Sequence, residues 1–313
     1  MHDASSPSLI TDPDHPLIQR FRSLQSAAGR AASGCYLIEG IRHVFRAAQA
    51  QAPIEQLFIA PKALKSPAGQ KLARRLRRAG TPSATLAPDL YRRLSLATTP
   101  QGIAAILRQE WTPLGAVRPG DGNGWLAVEG VASPGNLGTM IRTSEAAGAA
   151  GLILIGCTAD PHDPTAVRAT MGSLFSQKLV CTTAHEFAAW SARRRLMLVG
   201  ASPQAACDYR AVRYEKPLVI LVGSEKSGLS DELSRACNAL VRIPILRRGV
   251  DSLNVAVAAG ILLYAALDHR PPLRSPGDAP QASSRRGERP WLSGYCFDGR
   301  RPVERAGGGA QQR

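Results

Sequence analysis

Short apolar runs alternate with longer segments of helical periodicity through the second half of the chain. The runs that predict strands are, in chain order, WLAVEG, GLILIG, KLV, LMLVGAS, PLVILVGSE and ALVRIPI. The segments that predict helices are NLGTMIRTSEAAGAA, PTAVRATMGSLFSQ, HEFAAWSARRR, SDELSRACN and the apolar run from Val255 to Leu267. Continuously apolar strands such as LVILVG are typical of a parallel sheet covered on both faces, so this half is predicted to be a doubly wound α/β domain.

A smaller unit with the same alternation comes first. CYLIEG and IEQLFIA predict strands, IRHVFRAAQAQ and the basic GQKLARRLRRAG predict helices, and LYRRLS and GIAAILRQ complete the unit. The sequence therefore predicts a small α/β domain ahead of the larger one.

The remaining segments lack a periodic apolar pattern and divide the chain. Pro and Gly recur in TPLGAVRPGDGNG too often for a regular element, which predicts a linker. Both ends of the chain are rich in Pro, Gly, Ser and Arg, a composition typical of disorder. The predicted layout is a disordered tail over 1–14, the small domain over 15–110, a linker over 111–124, the larger domain over 125–270 and a disordered basic tail over 271–313.

Basic residues outnumber acidic ones. Of 313 residues, 39 are Lys or Arg and 24 are Asp or Glu, which gives a formal net charge of +15. Such a surplus attracts polyanions through phosphate contacts and counterion release, so a nucleic acid is the predicted partner. The alternative is that the arginine content reflects only a GC-rich coding bias. The cysteines form no CxxC pair or Cys/His cluster, so the sequence predicts neither a metal site nor a disulfide framework.

The sequence predicts neither export nor a membrane-spanning segment. The longest apolar run, Val255 to Leu267, is too short to cross a bilayer. The N-terminal MHDASSPSLITDPDHP has no basic region followed by an apolar one, as a signal peptide would. We therefore expect a cytoplasmic protein.

Three loops of the larger domain are candidate binding sites, because ligands of open parallel sheets bind in the loops after the carboxyl ends of strands. The loops are SPGNLGTMIR, GSEKSG and the segment from Arg242 to Asn254. The second is not a phosphate-binding P-loop, since no Lys and Ser or Thr follow its second glycine, so ATP is not implied.

Each loop has a purely structural alternative when it is taken singly. Asn136 is placed to cap the helix that follows it, and Glu225 to cap the helix that starts near Ser230. Ser252 and Asn254 either cap the last helix, whose N-terminus favours an anion, or hold a ligand. The order of the three loops along the chain is the stronger signal.

Together, the loops resemble the three motifs of the SpoU/TrmH family of RNA 2'-O-ribose methyltransferases. The patterns are Asn136-x-Gly138-x-x-x-Arg142, then Gly223-x-Glu225-x-x-Gly228, then Ile243-Pro244 followed by Ser252-Leu253-Asn254-Val255. In the first unit, YLIEGIRHVFRA and LYRRLSLATTPQGIAAI are similar to the family's L30e-like RNA-binding domain. The resemblance implies an α/β SPOUT fold with a deep trefoil knot, assembled as a homodimer.

The resemblance also implies a reaction, in which a methyl group moves from S-adenosyl-L-methionine to a ribose 2'-hydroxyl. Arg142 would be supplied by the partner subunit and would contact the target ribose-phosphate. The residues implied for the catalytic pocket are Asn136, Arg142, Glu225, Ser252 and Asn254. Those implied for donor binding are Ala201, Ser202, Val222, Gly223, Ile243, Ile245 and Leu253.

The sequence departs from the family pattern at two places. Ser133 stands where the family usually has Asp, and the segment between Ile243 and Ser252 is slightly longer than the commonest spacing. The expected substrate is rRNA, 23S in particular, with tRNA as the main rival and a drug-resistance rRNA methylase as a narrower possibility. A catalytically silent RNA-binding or ribosome-assembly factor is an alternative of another class. A DNA-binding regulator would need a helix-turn-helix or a similar reader, which the sequence lacks.

Overall fold

The computed structural model describes residues 9–156, 159–246 and 252–268. Within these ranges the chain forms two β-sheets, one of five strands and one of seven. The five-stranded sheet belongs to the smaller α/β unit predicted from the sequence, and the seven-stranded sheet to the larger. The tail predicted over 271–313 lies outside the described residues.

The N-terminal sheet is mixed and carries helices on both faces. Its strands are β1 (Leu9–Ile10), β2 (Cys35–Glu39), β3 (Ile54–Ile59), β4 (Ser83–Leu86) and β5 (Ile103–Arg108), in the order β1-β4-β3-β5-β2. The helices are α1 (Pro16–Ser23), α2 (Ala27–Ser33), α3 (Ile41–Gln49), α4 (Pro67–Arg78) and α5 (Pro88–Leu94). Phe21 of α1 and Tyr91 of α5 are buried in the core on one face, and Val44 of α3 and Leu72 of α4 in the core on the other.

Residues 9–14 differ from the prediction of a disordered tail over 1–14. Leu9 and Ile10 form β1, which pairs in parallel with β4, and Ile10 is buried. Ile10 belongs to the same core as Phe21, so tertiary contacts order this segment. A strand of two residues is too short to show an alternating pattern in the sequence. Residues 1–8 lie outside the described part of the chain.

The C-terminal sheet is parallel at every pairing. Its strands are β6 (Trp125–Glu129), β7 (Gly151–Ile155), β8 (Lys178–Thr182), β9 (Met197–Ala201), β10 (Cys207–Asp208), β11 (Leu218–Val222) and β12 (Ala239–Arg242). Their order is β10-β12-β9-β11-β6-β7-β8. The apolar strand β11 lies in the interior of the sheet and is buried along its whole length. This confirms the predicted α/β class with a mostly parallel sheet, although the two-residue strand β10 was not predicted.

Helices cover both faces of this sheet. They are α6 (Pro134–Ala146), α7 (Pro164–Thr170), α8 (Ala184–Ala192), α9 (Asp231–Ala236) and α10 (Val255–Asp268). One core contains Phe187 of α8 and Leu233 of α9, and the other contains Met140 of α6 and Leu262 of α10. The core with α6 and α10 is continuous with one core of the N-terminal unit, so the two units share buried apolar surface.

The sequence predicted one helix over the segment PTAVRATMGSLFSQ, but the structure shows a shorter helix followed by a turn. Helix α7 ends at Thr170, and both Met171 and Gly172 have a positive φ. A 3-10 turn over Ser173–Ser176 follows. The left-handed backbone at two successive residues breaks the helix, and Gly172 at this point lies against the side chain of Arg46. The break is therefore associated with a contact from the other unit, which local periodicity does not register.

The predicted linker over 111–124 is packed against the larger unit. Val117 is buried, the Thr112 N–H donates to the Leu179 carbonyl at 2.8 Å, and the Trp125 indole donates to the Arg118 carbonyl at 3.0 Å. The predicted domain bounds, 15–110 and 125–270, stay predictions.

The knot also stays a prediction, because residues 247–251, between β12 and α10, lie outside the described residues. Across the described ranges, no helix has both the length and the apolar character needed to span a bilayer. The cytoplasmic location expected from the sequence stays a prediction.

A buried arginine joins the two units. Arg30 of α2 is only 2% exposed, and its guanidinium donates to Asp160 at 2.6 Å and to Asp163 at 3.1 Å. The same group donates to the carbonyls of Leu24 and Gln25, each at 3.1 Å. A buried guanidinium requires such complete pairing, because an unpaired buried charge is strongly destabilising.

This arrangement changes the acidity of Asp160. Burial raises its pKa, but hydrogen bonds from His162 and Arg30 act more strongly in the opposite direction and lower the pKa to about 2 from the ordinary 3.8. A lowered pKa means that the folded protein favours the charged carboxylate. The resulting stabilisation is present above the unfolded-state pKa and is lost as the pH falls through the folded-state value.

We therefore expect Asp160→Asn to lower the free energy of unfolding by about 1–2 kcal/mol near neutral pH. Urea unfolding followed at several pH values checks this. The difference from the wild type should be constant above about pH 5 and should shrink as the pH falls from about 4 towards 2. Asp121→Asn, which removes an exposed ion pair with Lys178, is the control and should change stability little at any pH. An equal effect of the two substitutions would contradict the assignment.

Candidate active site

The carboxyl ends of β9, β11 and β12 lie side by side, because these strands are neighbours in a parallel sheet. The described residues of the loops that follow them, together with the turn into α10, line a cavity of about 320 Å³. This is the position at which open α/β sheets bind ligands. The sequence-predicted donor-binding residues all lie on its wall, namely Ala201, Ser202, Val222, Gly223, Ile243, Ile245 and Leu253.

Two of the residues predicted for the catalytic pocket, Glu225 and Ser252, also line this cavity. Others that line it were not predicted as site residues, although Gly228 and Val255 belong to the quoted motifs and the rest lie near predicted residues in sequence. They are Pro203, Gln204, Ser224, Lys226, Ser227, Gly228, Val241, Val255 and Ala258. Proximity to the predicted loop residues was the signal that would have found them.

A chain of two hydrogen bonds joins the three motifs. The Asn254 amide donates to Asn136 Oδ1 at 3.0 Å, and the Asn136 amide donates to Glu225 Oε1 at 2.7 Å. Asn254 Oδ1 accepts from the backbone N–H groups of Ala256 at 2.9 Å and Val257 at 3.3 Å. Each amide therefore donates on one side and accepts on the other. The side chains of Asn136, Glu225 and Asn254 meet at one point.

Asn136 is free for this contact because another residue caps α6. The Ser133 hydroxyl accepts from the Asn136 N–H at 3.3 Å and is the N-cap, so the capping role suggested for Asn136 is wrong. Ser133, which replaces the family's usual Asp, thus anchors the loop itself. The capping role suggested for Glu225 is also wrong, because Ser230 caps α9. Asn254 caps α10 and its amide also reaches Asn136, so the capping alternative is confirmed, while the ligand-binding alternative stays a prediction.

The loop that presents Glu225 is closed by two reciprocal backbone hydrogen bonds. Ser224 and Gly228 each donate an N–H to the other's carbonyl at 3.0 Å. Gly228 has a φ of +69°. A Cβ added to Gly223 would lie 2.1 Å from the Gly228 carbonyl carbon, closer than any real contact. Glycine at 223 therefore allows the tight loop that borders the cavity.

Arg142 is not part of this cluster. It lies on α6 six residues after Asn136, so the two positions are about 120° apart around the helix. Its side chain is exposed and does not line the cavity. Of the residues predicted for the catalytic pocket, the structure thus brings together Asn136, Glu225, Ser252 and Asn254 and leaves Arg142 apart. The third loop also contains two arginines, Arg247 and Arg248, which lie outside the described residues.

The described residues contain no group of three or more His, Cys, Asp or Glu side chains that could hold a metal ion. The cavity wall combines apolar side chains such as Val222, Val241 and Leu253 with hydroxyl groups such as Ser202 and Ser252. Together with the charged Glu225 and Lys226, such a wall suits a small organic ligand that has both apolar and polar parts.

Comparison with known proteins identifies both units. Residues 125–264 match the model of the SpoU rRNA methylase family, and residues 15–105 match that of the MRM3-like substrate-binding domain. A 23S rRNA (uridine(2479)-2'-O)-methyltransferase from Streptomyces viridochromogenes is 31% identical over 262 residues, which cover 80% of this chain and 90% of the relative. The chain belongs to the SpoU rRNA methylase family. A more distant relative, the Bacillus subtilis 23S rRNA (guanosine(2553)-2'-O)-methyltransferase RlmP, is 26% identical and covers 79% of this chain and 94% of its own.

Solved structures of SpoU-type enzymes have the same fold. An AdoMet-bound rRNA methyltransferase from Sinorhizobium meliloti superposes with a TM-score of 0.77 at 32% identity, covering 84% of this chain and 98% of that one. The SpoU methyltransferase AviRb from Streptomyces viridochromogenes, in complex with AdoMet, gives 0.72 at 30% identity, covering 80% and 96%. The resemblance to SpoU methyltransferases seen in the motifs is thereby confirmed. The roles of individual residues stay predictions.

Gly223 lines the cavity next to the closed 223–228 loop, so replacing it tests whether the methyl donor binds there. We expect Gly223→Ala to force the 223–228 loop open, a clash that costs on the order of 1–3 kcal/mol, and to weaken S-adenosylmethionine binding at least tenfold. Isothermal titration calorimetry measures this. Gly135→Ala is the matched control from the first motif, because an added Cβ there meets nothing closer than 3.8 Å. Unchanged donor affinity in Gly223→Ala would show that the donor binds elsewhere.

Proposed function

We propose that the protein methylates a ribose 2'-hydroxyl of 23S rRNA, with S-adenosylmethionine as the methyl donor. The observation that carries the proposal is the meeting of Asn136, Glu225 and Asn254 beside a cavity lined by all the predicted donor-binding residues. Relatives that cover most of the chain are named as 23S rRNA 2'-O-methyltransferases, and similar solved structures hold AdoMet. The cavity volume, about 320 Å³, lies within the range of small-molecule sites.

S-adenosylmethionine supplies a methyl group on a positively charged sulfur, which is a good leaving group. The protein must therefore orient the ribose hydroxyl in line with that methyl group and assist loss of the hydroxyl proton. The apolar wall, with Val222, Ile243 and Leu253, would hold the adenosine, while Ser202 and Ser252 offer hydroxyl groups. Asn136 and Asn254 fix the Glu225 carboxylate at the edge of the cavity.

We assign to Arg142 the role of binding the target ribose-phosphate of the RNA. A guanidinium stays protonated in proteins, so it acts as a bidentate phosphate clamp and not as a free base. Arg142 points away from the Asn136 cluster of its own chain, about 120° around α6. We therefore assign it to the cavity of a partner subunit, so that each active site contains groups from both chains of a homodimer.

The apolar surface of α10 supports a homodimer. Val257 and Tyr264 on this helix are 51% and 48% exposed, and Leu253 just before it is 37% exposed. Gly260 of α10 faces Thr143 of α6, so this surface lies next to the helix that carries Arg142. Large exposed apolar side chains grouped on one helix are typical of an interface. A dimer formed there would bring the Arg142 helix of each chain to the other.

The N-terminal unit is assigned to RNA binding. Its helix α4 exposes Lys71, Arg74, Arg75 and Arg78, a basic surface suited to a phosphate backbone. A tRNA remains the rival substrate, and a silent ribosome-assembly factor remains the rival class.

Mapping of 2'-O-methyl sites in rRNA and tRNA from cells with and without the gene decides between these functions. We expect one 23S rRNA site to lose its methyl group and to regain it when purified protein and S-adenosylmethionine are added. Loss of a tRNA site would establish the rival substrate. A protein that binds no S-adenosylmethionine and leaves every site unchanged would be the silent factor.

Arg142→Ala should retain the fold and donor affinity but lower the rate of RNA methylation on the order of 10²–10³-fold. Mixing this variant with Asn136→Ala tests the assignment across subunits. A mixed dimer has one site with both residues intact, so random mixing should restore about a quarter of wild-type activity. If mixing restores none while mixed dimers form, Arg142 acts within its own chain. Near-normal turnover of Arg142→Ala alone would refute its role.

A further inference from the structure

A second arginine of the N-terminal unit contacts the helix that begins at the active site. Arg46 of α3 donates from Nη2 to Glu145 Oε1 of α6 at 2.5 Å and to the Ser176 hydroxyl at 3.2 Å. The hydroxyl groups of Ser173 and Ser176 also donate to the Glu145 carboxylate. Burial raises the pKa of Glu145, but the hydrogen bonds from Ser173, Ser176 and Arg46 lower it overall. The carboxylate is therefore held charged and fixed on both oxygens.

Glu145 lies on the helix that carries two predicted catalytic residues. It follows Arg142 by three residues, so the two are neighbours on the surface of α6. Asn136 lies in the first turn of the same helix. Since α6 is a continuous helix, a shift or rotation at Glu145 displaces both Asn136 and Arg142.

The other contact between the units acts on the helix next to α6. Arg30 binds Asp163, whose side chain caps α7. Helix α7 crosses α6 so closely that a Cβ added to Gly138 would lie 2.4 Å from the Ala166 carbonyl oxygen. The N-terminal unit thus holds α6 directly through Arg46 and indirectly through Arg30.

We infer that the Arg46–Glu145 pair is a positioning contact, which fixes the RNA-binding unit to the catalytic helix α6 and so aligns bound RNA with the reaction centre. The inference rests on the proposed function. Arg46 and Glu145 are positioning residues, because neither lines the cavity.

The expected sizes of the effects on stability and on rate distinguish this positioning role from ordinary stabilisation. The side chains of Arg46 and Glu145 are 35% and 31% exposed, and partly exposed ion pairs contribute little to global stability. Misplacement of reacting groups by about 1 Å can lower a rate about 100-fold. A positioning contact therefore affects turnover far more than the melting temperature.

The experiment compares Arg46→Gln and Glu145→Gln with the control Arg20→Gln. Arg20 also forms a 2.5 Å pair, with Glu55, and has similar exposure, but both partners lie within the N-terminal unit. We expect each substitution in the Arg46–Glu145 pair to lower kcat for RNA methylation about tenfold or more, with the Kd for S-adenosylmethionine unchanged. The double variant should be no slower than either single variant, because both remove one contact. Arg46→Lys should recover part of the loss, and Arg20→Gln should turn over normally.

Hydrogen–deuterium exchange supplies a readout that does not depend on methylation. Amides of α6 should exchange faster in Arg46→Gln and Glu145→Gln, with little change in melting temperature, and should be unaffected in Arg20→Gln. If exchange responds in this way but the wild type methylates no RNA, the Arg46–Glu145 pair does hold α6, and it is the proposed function that is wrong.

Two results would overturn the inference. One is unchanged α6 exchange together with unchanged kcat in both variants. The other is weaker RNA binding in Arg46→Gln alone, with Glu145→Gln normal and α6 exchange unchanged, which would make Arg46 a direct phosphate contact.

Discussion

The hydrogen bonds between Asn254, Asn136 and Glu225 hold together three segments that are far apart in sequence. Asn136 lies 118 residues from Asn254 and 89 from Glu225. Asn254 uses its side-chain oxygen to cap α10, so its NH₂ group is left to donate to Asn136. This fixes which group donates and which accepts in both hydrogen bonds. The start of α6, the loop after β11 and the start of α10 therefore cannot move independently. The last two of these segments also bound the cavity, so its shape depends on these bonds.

Local signals predict the sheet and the positions of the loops, whereas the residues of the site were predicted from the resemblance of the three loops to the SpoU/TrmH motifs. Apolar strands predict a parallel sheet, and in such a sheet the loops after neighbouring strands meet at one edge. Glycine at 223 and an amide at 136 report on backbone space and hydrogen bonding at their own positions. The N-cap was misjudged because Ser133 and Asn136 both suit that role, and only the course of the backbone decides between them.

The contacts between the two units could not be predicted, because nothing near each residue signals its partner. Arg30 and Asp160 are 130 residues apart, and Arg46 and Glu145 are 99 apart. In the sequence, Arg30 and Arg46 look like the many other arginines of a basic chain, whose side chains are mostly solvated. The break after α7 and the short strand β1 escaped prediction for the same reason, since tertiary contacts and not periodicity determine them.

The order of the C-terminal sheet has a consequence for how the protein is made. Strand β11 lies between β6 and β9, and β12 lies between β9 and β10, although β11 and β12 come later in the chain than their neighbours. During synthesis, β6 and β9 therefore emerge from the ribosome before β11, and each has an unpaired edge until β11 is translated. The N-terminal sheet is complete by Arg108 and has all of its strands long before then. Its early folding leaves the unfinished parallel sheet as the part of the nascent chain most exposed to misassociation.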